Sequence, residues 1–181
     1  MNRRSAMAIF LAGFAALSYA PQASSEAGWV MLFDGKTLDN FNKIGDANWR
    51  VEDGVIVADK GNGFLVSKNS YGDFQIRAEF WVEPDSNSGI FIRCTDPEKL
   101  TAENAYEVNI WDMRPDPSYG TGGIVNVAKV NPMPKTVDGV QDAKLASGRI
   151  GLQHGLGNKD DKGVANDKGV VKFRKLVIKP L

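Results

Sequence analysis

The chain has 181 residues, with 22 Lys plus Arg against 22 Asp plus Glu, a balance that offers no net field to draw in nucleic acid or an acidic membrane surface. Its length suits one domain with a full core. The 19 glycines and 8 prolines spread along it fit a turn-rich β protein and count against a helical bundle.

The first 25 residues read as a signal peptide. Asn2-Arg3-Arg4 is a short basic segment, Ala6 to Ala20 is an apolar run, and small residues follow at Ala23, Ser24, Ser25 and Ala27. The run is shorter than the roughly 20 residues a spanning helix needs, and no cysteine follows it to carry a lipid. The expectation is cleavage between Ala23 and Ala27, export to the periplasm or beyond, and no membrane attachment afterwards. Residues 28–181 then form a single domain.

In that domain Gly28 to Phe33 is a short apolar strand, followed by a turn at Asp34-Gly35-Lys36. Asn48–Glu52 and Val55–Ala58 flank Asp53-Gly54, a two-residue hairpin signal. Phe64–Ser67 is the next strand, and three long strands follow. Phe74, Ile76, Ala78, Phe80 and Val82 alternate with Gln75, Arg77, Glu79, Trp81 and Glu83, the period of a strand with one face in a core. Beyond Pro84–Asn87, Ile90, Ile92 and Cys94 alternate with Phe91 and Arg93. Then Tyr106, Val108 and Ile110 alternate with Glu107, Asn109 and Trp111. The loop 95–104 has room for one helical turn. Met113 to Gly123, with two prolines and three glycines, is expected to be an irregular loop at the site. Ile124–Val130, Ser147–Gln153 and Val170–Pro180 complete the strands, the last with Val171 and Phe173 inward. The fold class is all-β, a two-sheet sandwich.

If the three long strands share a sheet, their polar phase gathers Arg77, Glu79, Trp81, Phe91, Arg93, Glu107, Asn109 and Trp111 on one face. Aromatic rings mixed with carboxylates, an amide and guanidinium groups suit a polyhydroxylated ligand. Asp112 ends the same strand in the opposite phase and joins that face only if the strand bulges there. Gln153 ends its strand and His154 opens the glycine-rich loop 154–169, and both are candidates for contact with the ligand. His154, the one histidine, is expected to be an exposed loop residue, with proton carriage as the alternative. Cys94, the one cysteine, excludes an internal disulfide and reads as a buried small hydrophobe. Carboxylate and amide oxygens suit calcium, but no ligand spacing has the specificity of a calcium loop or zinc motif. No metal and no cofactor is therefore assigned.

Several segments stand together in a familiar order: Leu32-Phe-Asp-Gly-Lys-Thr-Leu38, Trp49-Arg-Val-Glu-Asp-Gly-Val55, Tyr71-Gly-Asp-Phe74, Asn87-Ser-Gly-Ile-Phe-Ile-Arg93, Tyr106-Glu-Val-Asn-Ile-Trp-Asp112 and Val171-Lys-Phe-Arg-Lys-Leu-Val-Ile-Lys179. In these the chain resembles the 3-keto-disaccharide hydrolase family over nearly all of residues 28–181. The resemblance implies a concanavalin A-like jelly roll of two antiparallel sheets, with a sugar site on the concave one. It also implies cleavage of glycosides whose sugar has first been oxidised to the 3-keto form. One departure stands out. Relatives follow the stretch matching Pro132-Met-Pro-Lys135 with two further strands, whereas here Lys135 runs directly into Thr136–Asp142. About two strands, on the order of ten to twelve residues plus turns, are expected to be missing, leaving unpaired strand edges.

A 3-keto group acidifies the proton at carbon 2, so the bond can break by elimination. That route needs a base, a stabiliser for the enolate oxygen and an acid for the leaving group. On this reading Glu107 is the base, Arg93 stabilises the oxyanion and Glu79 orients it or serves as the acid. Asn109, Trp111, Trp81, Asp112, Gln153 and His154 contact the sugar. The partner is a sugar or glycoside. The alternative reading is a non-catalytic carbohydrate-binding module that keeps the aromatic platform.

Overall fold

A computed structural model describes residues 27–130 and 148–181. The segment expected to be a signal peptide and the expected loss of strands after Lys135 lie outside these described residues. Within them are two five-stranded antiparallel sheets. The first holds β1 (Val30–Met31), β3 (Arg50–Glu52), β4 (Val55–Lys60), β6 (Phe74–Val82) and β10 (Lys168–Pro180). The second runs β2 (Phe41–Gly45), β5 (Gly63–Ser67), β9 (Arg149–Gly155), β7 (Asn87–Cys94) and β8 (Tyr106–Ile110). The fold is the all-β sandwich of jelly-roll type that the sequence predicts.

The alternation of apolar residues builds the layer between the sheets. Ile56, Ala58, Val171, Phe173 and Ile178 from the first sheet meet Leu65, Ile150, Leu152 and Ile110 from the second, all at most 2% exposed. Burying one such side chain stabilises the fold by roughly 1.5–3 kcal/mol, so this layer fixes which face of each strand turns outward. Asp53 and Gly54 close the β3–β4 hairpin with φ of 48° and 77°, the doubly left-handed turn this dipeptide favours.

Three expectations change. β6 does not share a sheet with β7 and β8: it pairs with β10 in the first sheet. Pro84–Ser86 is a crossing between sheets, pinned where the Val170 amide donates to the Glu83 carboxylate at 2.9 Å. Alternation reveals which residues face a core, not which of two sheets carries them. Ile124–Val130 is not a strand. Ile124 forms isolated bridges to Val108 and Ala128, around a left-handed Asn126 (φ 61°). Finally, a bulge between Phe91 and Cys94, with Arg93 at φ 56°, puts Cys94 in the same cluster as Phe91. The thiol is still buried, at 2% exposure, as expected.

Cys94 belongs to a second apolar cluster, with Val66, Phe91, Leu100 and Ala105. These residues come only from the second sheet and the loop 95–105, so the cluster sits on the outer face of that sheet. It floors the lower half of the candidate site.

Candidate functional site

The outer face of the second sheet is built in rows by the strand register. Phe64, Gln153, Gly89 and Asn109 lie opposite one another across four strands, and so do Val66, Gly151, Phe91 and Glu107. Glycine occupies the centre of each row. At Gly151 the missing side chain is replaced by Leu100, which a Cβ would strike. At Gly89 the space stays open to polar groups: a Cβ there would stand 3.3 Å from Glu107 Cγ and 3.4 Å from Gln153 Oε1. One step along, a Cβ at Gly155 would meet Asn87 Nδ2 at 2.8 Å and Gln153 Cδ at 3.1 Å. Asn87, Gln153 and Glu107 therefore stand side by side over a glycine floor.

The amides of this face are locked in one orientation. Asn87 Nδ2 donates to the Leu156 carbonyl at 2.8 Å, Asn109 Nδ2 to the Tyr119 carbonyl at 2.6 Å and Asn158 Nδ2 to the Met113 carbonyl at 3.0 Å. Carbonyls only accept, so each amide must present its oxygen elsewhere. Those oxygens, Asn87 Oδ1, Asn109 Oδ1 and Asn158 Oδ1, are buried without a partner, as are Gln153 Oε1 and Trp111 Nε1. Asn109 is fully buried. A buried polar atom left unpaired costs about 1–3 kcal/mol, so five of them here mark a place meant for a polar ligand or ordered water.

Glu107 is the one carboxylate in these rows. It is 9% exposed, and burial raises its carboxyl to about 7, with the Arg114 guanidinium pulling the other way. Arg114 itself lies over the Trp111 ring at 5.7 Å. The loop carrying both is stitched to β8, with Asn109 N–H donating to Gly123 O, Gly122 N–H to Asn109 O and Val125 N–H to Glu107 O.

The predicted residues divide. Glu107, Asn109, Trp111 and Gln153 come together. Glu79 does not: it stands on the outer face of the opposite sheet, held by Arg174 at 2.7 Å and Lys175 at 2.5 Å, which keep its carboxyl below the usual range. Trp81 is on that same far face under Lys172, 5.0 Å away. Both misplacements follow from β6 belonging to the first sheet. Arg93 sits in the β7 bulge and pairs with Asp73 at 2.9 Å, and the cation that acts on Glu107 is Arg114. Asp112 is exposed and accepts a hydrogen bond from the Thr121 hydroxyl, bracing the loop. His154 is not a loop residue. It lies in β9, 1% exposed, with Nδ1 2.7 Å from Gly61 O and Nε2 2.9 Å from Gly169 O. It points between the sheets, edge-on to Trp49, where Leu152 also points.

Sequence reading missed Asn87, Arg114 and Asn158. Asn87 shares the phase of Gly89 and Phe91, a signal hidden by treating it as part of the preceding turn. Arg114 and Asn158 lie in loops whose path no periodicity records. Among the described residues no three His, Cys, Asp or Glu side chains group closely enough to hold a metal ion.

Two solved structures from Parabacteroides distasonis share this fold, each named a "putative glycosyl hydrolase". One has a TM-score of 0.61 at 22% identity, covering 84% of this chain and 99% of its own. The other has 0.60 at 19%, covering 85% and 94%. A 3-keto-disaccharide hydrolase of Bacteroides thetaiotaomicron is 30% identical over 77 residues, 35% of this chain and 27% of that protein. The chain thus spans about a quarter of that curated relative. The model of the 3-keto-alpha-glucoside-1,2-lyase-like domain matches residues 28–138, more than half the chain. The chain belongs to the family of 3-keto-alpha-glucoside-1,2-lyase-like domains.

Proposed function

We propose that this chain is an exported enzyme that cleaves the glycosidic bond of 3-keto-glycosides in the groove over Gly89. The observation that carries this reading is Glu107: a buried carboxyl raised to about 7, beside Gln153 over Gly89 on a face that carries unpaired amide oxygens. A base works best with its pKa near the working pH. Glu107 takes the proton from carbon 2 of the keto sugar, and the electron pair moves into the enolate, whose negative oxygen faces the Arg114 cation. The enolate then collapses. The ketone re-forms, a double bond forms between carbons 1 and 2, and the bond from carbon 1 to the aglycone oxygen breaks. The departing oxygen takes up one proton, balancing the one that Glu107 gained. Asn87 and Gln153, both partly exposed, accept from sugar hydroxyls, and Trp111 lines the groove.

Among the described residues the placement of carboxylates favours elimination over direct displacement. A displacement needs two carboxyls flanking the bond, about 5–10 Å apart, and the second candidate, Glu79, stands on the opposite sheet. The test is release of aglycone from a 3-keto glucoside by wild type and by Glu107→Gln. Turnover that disappears in the variant supports the reading. Binding without turnover in both proteins would identify a carbohydrate-binding module instead.

A further inference from the structure

The two sheets end differently. On β8 the free edge is covered by Gly122–Val125. β6, nine residues long, pairs among the described residues only with β10. Its ladder is framed by the Glu83 N–H to Val170 O and Leu181 N–H to Asp73 O bonds, both 3.0 Å. These bonds and the register put the backbone groups of odd-numbered residues on β10. The amides and carbonyls of Phe74, Ile76, Ala78, Phe80 and Val82 therefore face the open edge.

Among the described residues nothing covers that edge, and its only charged side chains, Arg77 and Glu79, both lie on the outer face. The edge has no proline, and the backbone groups it presents all belong to apolar residues of the core phase. Phe80, in that phase, is 46% exposed where a core residue should be covered, and Trp81 beside it is 52% exposed.

We infer that β6 is a homodimer interface, pairing antiparallel with β6 of a second copy about a two-fold axis at Ala78. In this register Ala78 faces its own copy, Ile76 faces Phe80 and Phe74 faces Val82, so the apolar phase matches along its length. On the outer face Arg77, which already lies over the Trp29 ring, stands opposite Glu79, and opposite charges attract. Shifting the axis to Arg77 or Glu79 sets like charges against each other, which disfavours those registers. Each of the five facing pairs exchanges two backbone hydrogen bonds through groups now turned outward. The two first sheets become one continuous sheet, and Phe80 is covered by Ile76 of the other copy.

Sedimentation equilibrium of the purified protein tests this. The expected result is a dimer that dissociates on dilution. Ala78→Pro removes one outward N–H without touching the β10 ladder, a substitution an edge tolerates. It should weaken association at least ~100-fold through lost bonds and strand distortion, while the thermal melt stays cooperative. Ala78→Cys should cross-link covalently on oxidation, because facing residues at this spacing, about 5.5 Å between Cα atoms, lie within disulfide reach. Three results would overturn the inference. One is a wild-type monomer up to ~100 μM, whether its outward β6 amides exchange quickly (a bare edge) or slowly (an edge covered by its own chain). The others are a dimer indifferent to Ala78→Pro, and failure of Ala78→Cys to cross-link.

Discussion

The two outer faces of this sandwich carry similar residue types and do opposite things with them. On the first sheet the carboxylates Glu52, Asp59 and Glu79 each touch a cation: Arg50 reaches Glu52 and Asp59 at 2.6 Å, and Arg174 and Lys175 close on Glu79. Hydrogen bonds from Asn48 and Arg50 lower the Asp59 carboxyl, and those from Lys175 and Arg174 lower that of Glu79. On the second sheet Glu107 has no ion pair among the described residues, its carboxyl is raised, and the same face carries unpaired amide oxygens. Charge and aromatic content do not separate a site from a solvated face. Unmet hydrogen-bonding capacity separates them by degree, with five unpartnered atoms on the second outer face against Arg50 Nη1 on the first. Burial makes such capacity costly unless something arrives to meet it.

The sharpest way to break this contrast is to neutralise one carboxylate on each face. Glu107→Gln should lower aglycone release on the order of 10²–10⁴-fold, the usual worth of a positioned base. A turnover rate within threefold of wild type would remove Glu107 from the chemistry.

The next effect is on stability, and its sign follows from the raised carboxyl. The folded chain holds the Glu107 proton up to about 7, whereas the unfolded one releases it near 4.5. Between these values the folded state binds more protons, so stability falls as pH rises and is fully reduced above 7. The gap corresponds to about 3 kcal/mol. Glu107→Gln should therefore raise the thermal midpoint at pH 8 and leave it nearly unchanged at pH 4. Equal shifts at both values would contradict the burial argument. For the same reason kcat/KM of the wild type should climb with pH and level off above about 7.

Gly89→Ala places a methyl 3.3–3.4 Å from Glu107 and Gln153. A roughly tenfold rise in KM is expected from that small displacement, with far-ultraviolet circular dichroism unchanged. The smallest effect sharpens the contrast from the other side. Glu79→Gln, an exposed and screened site, should change turnover by less than ~2-fold, and a larger loss would mean that the two faces communicate.

Much of the fold was legible in residue order. Alternation found β6, β7, β8 and β10 and the inward Val171 and Phe173, and Asp53-Gly54 announced its hairpin. What alternation cannot encode is partnership between strands. That is why Glu79 and Trp81 were grouped with Glu107, although both satisfy the same period. His154 was misjudged because a polar ring entering a glycine-rich loop looks solvated, whereas its nitrogens lie 2.7 and 2.9 Å from the Gly61 and Gly169 carbonyls, so a ring N–H finds an acceptor inside the fold. β2 was missed because Phe41 and Ile44 alone give too short an apolar pattern. Asn87, Arg114 and Asn158 needed three-dimensional placement, since their importance lies in atoms left over after local bonding, and sequence does not show those.

Because a backbone carbonyl holds an N–H of Asn87 and of Asn158, the proposed groove is left with their oxygens and should favour visitors that bring protons. A methyl ether keeps a sugar's oxygen and shape but removes its donor. Partially O-methylated glycosides should accordingly be turned away in proportion to the hydroxyls they have lost, even where they fit.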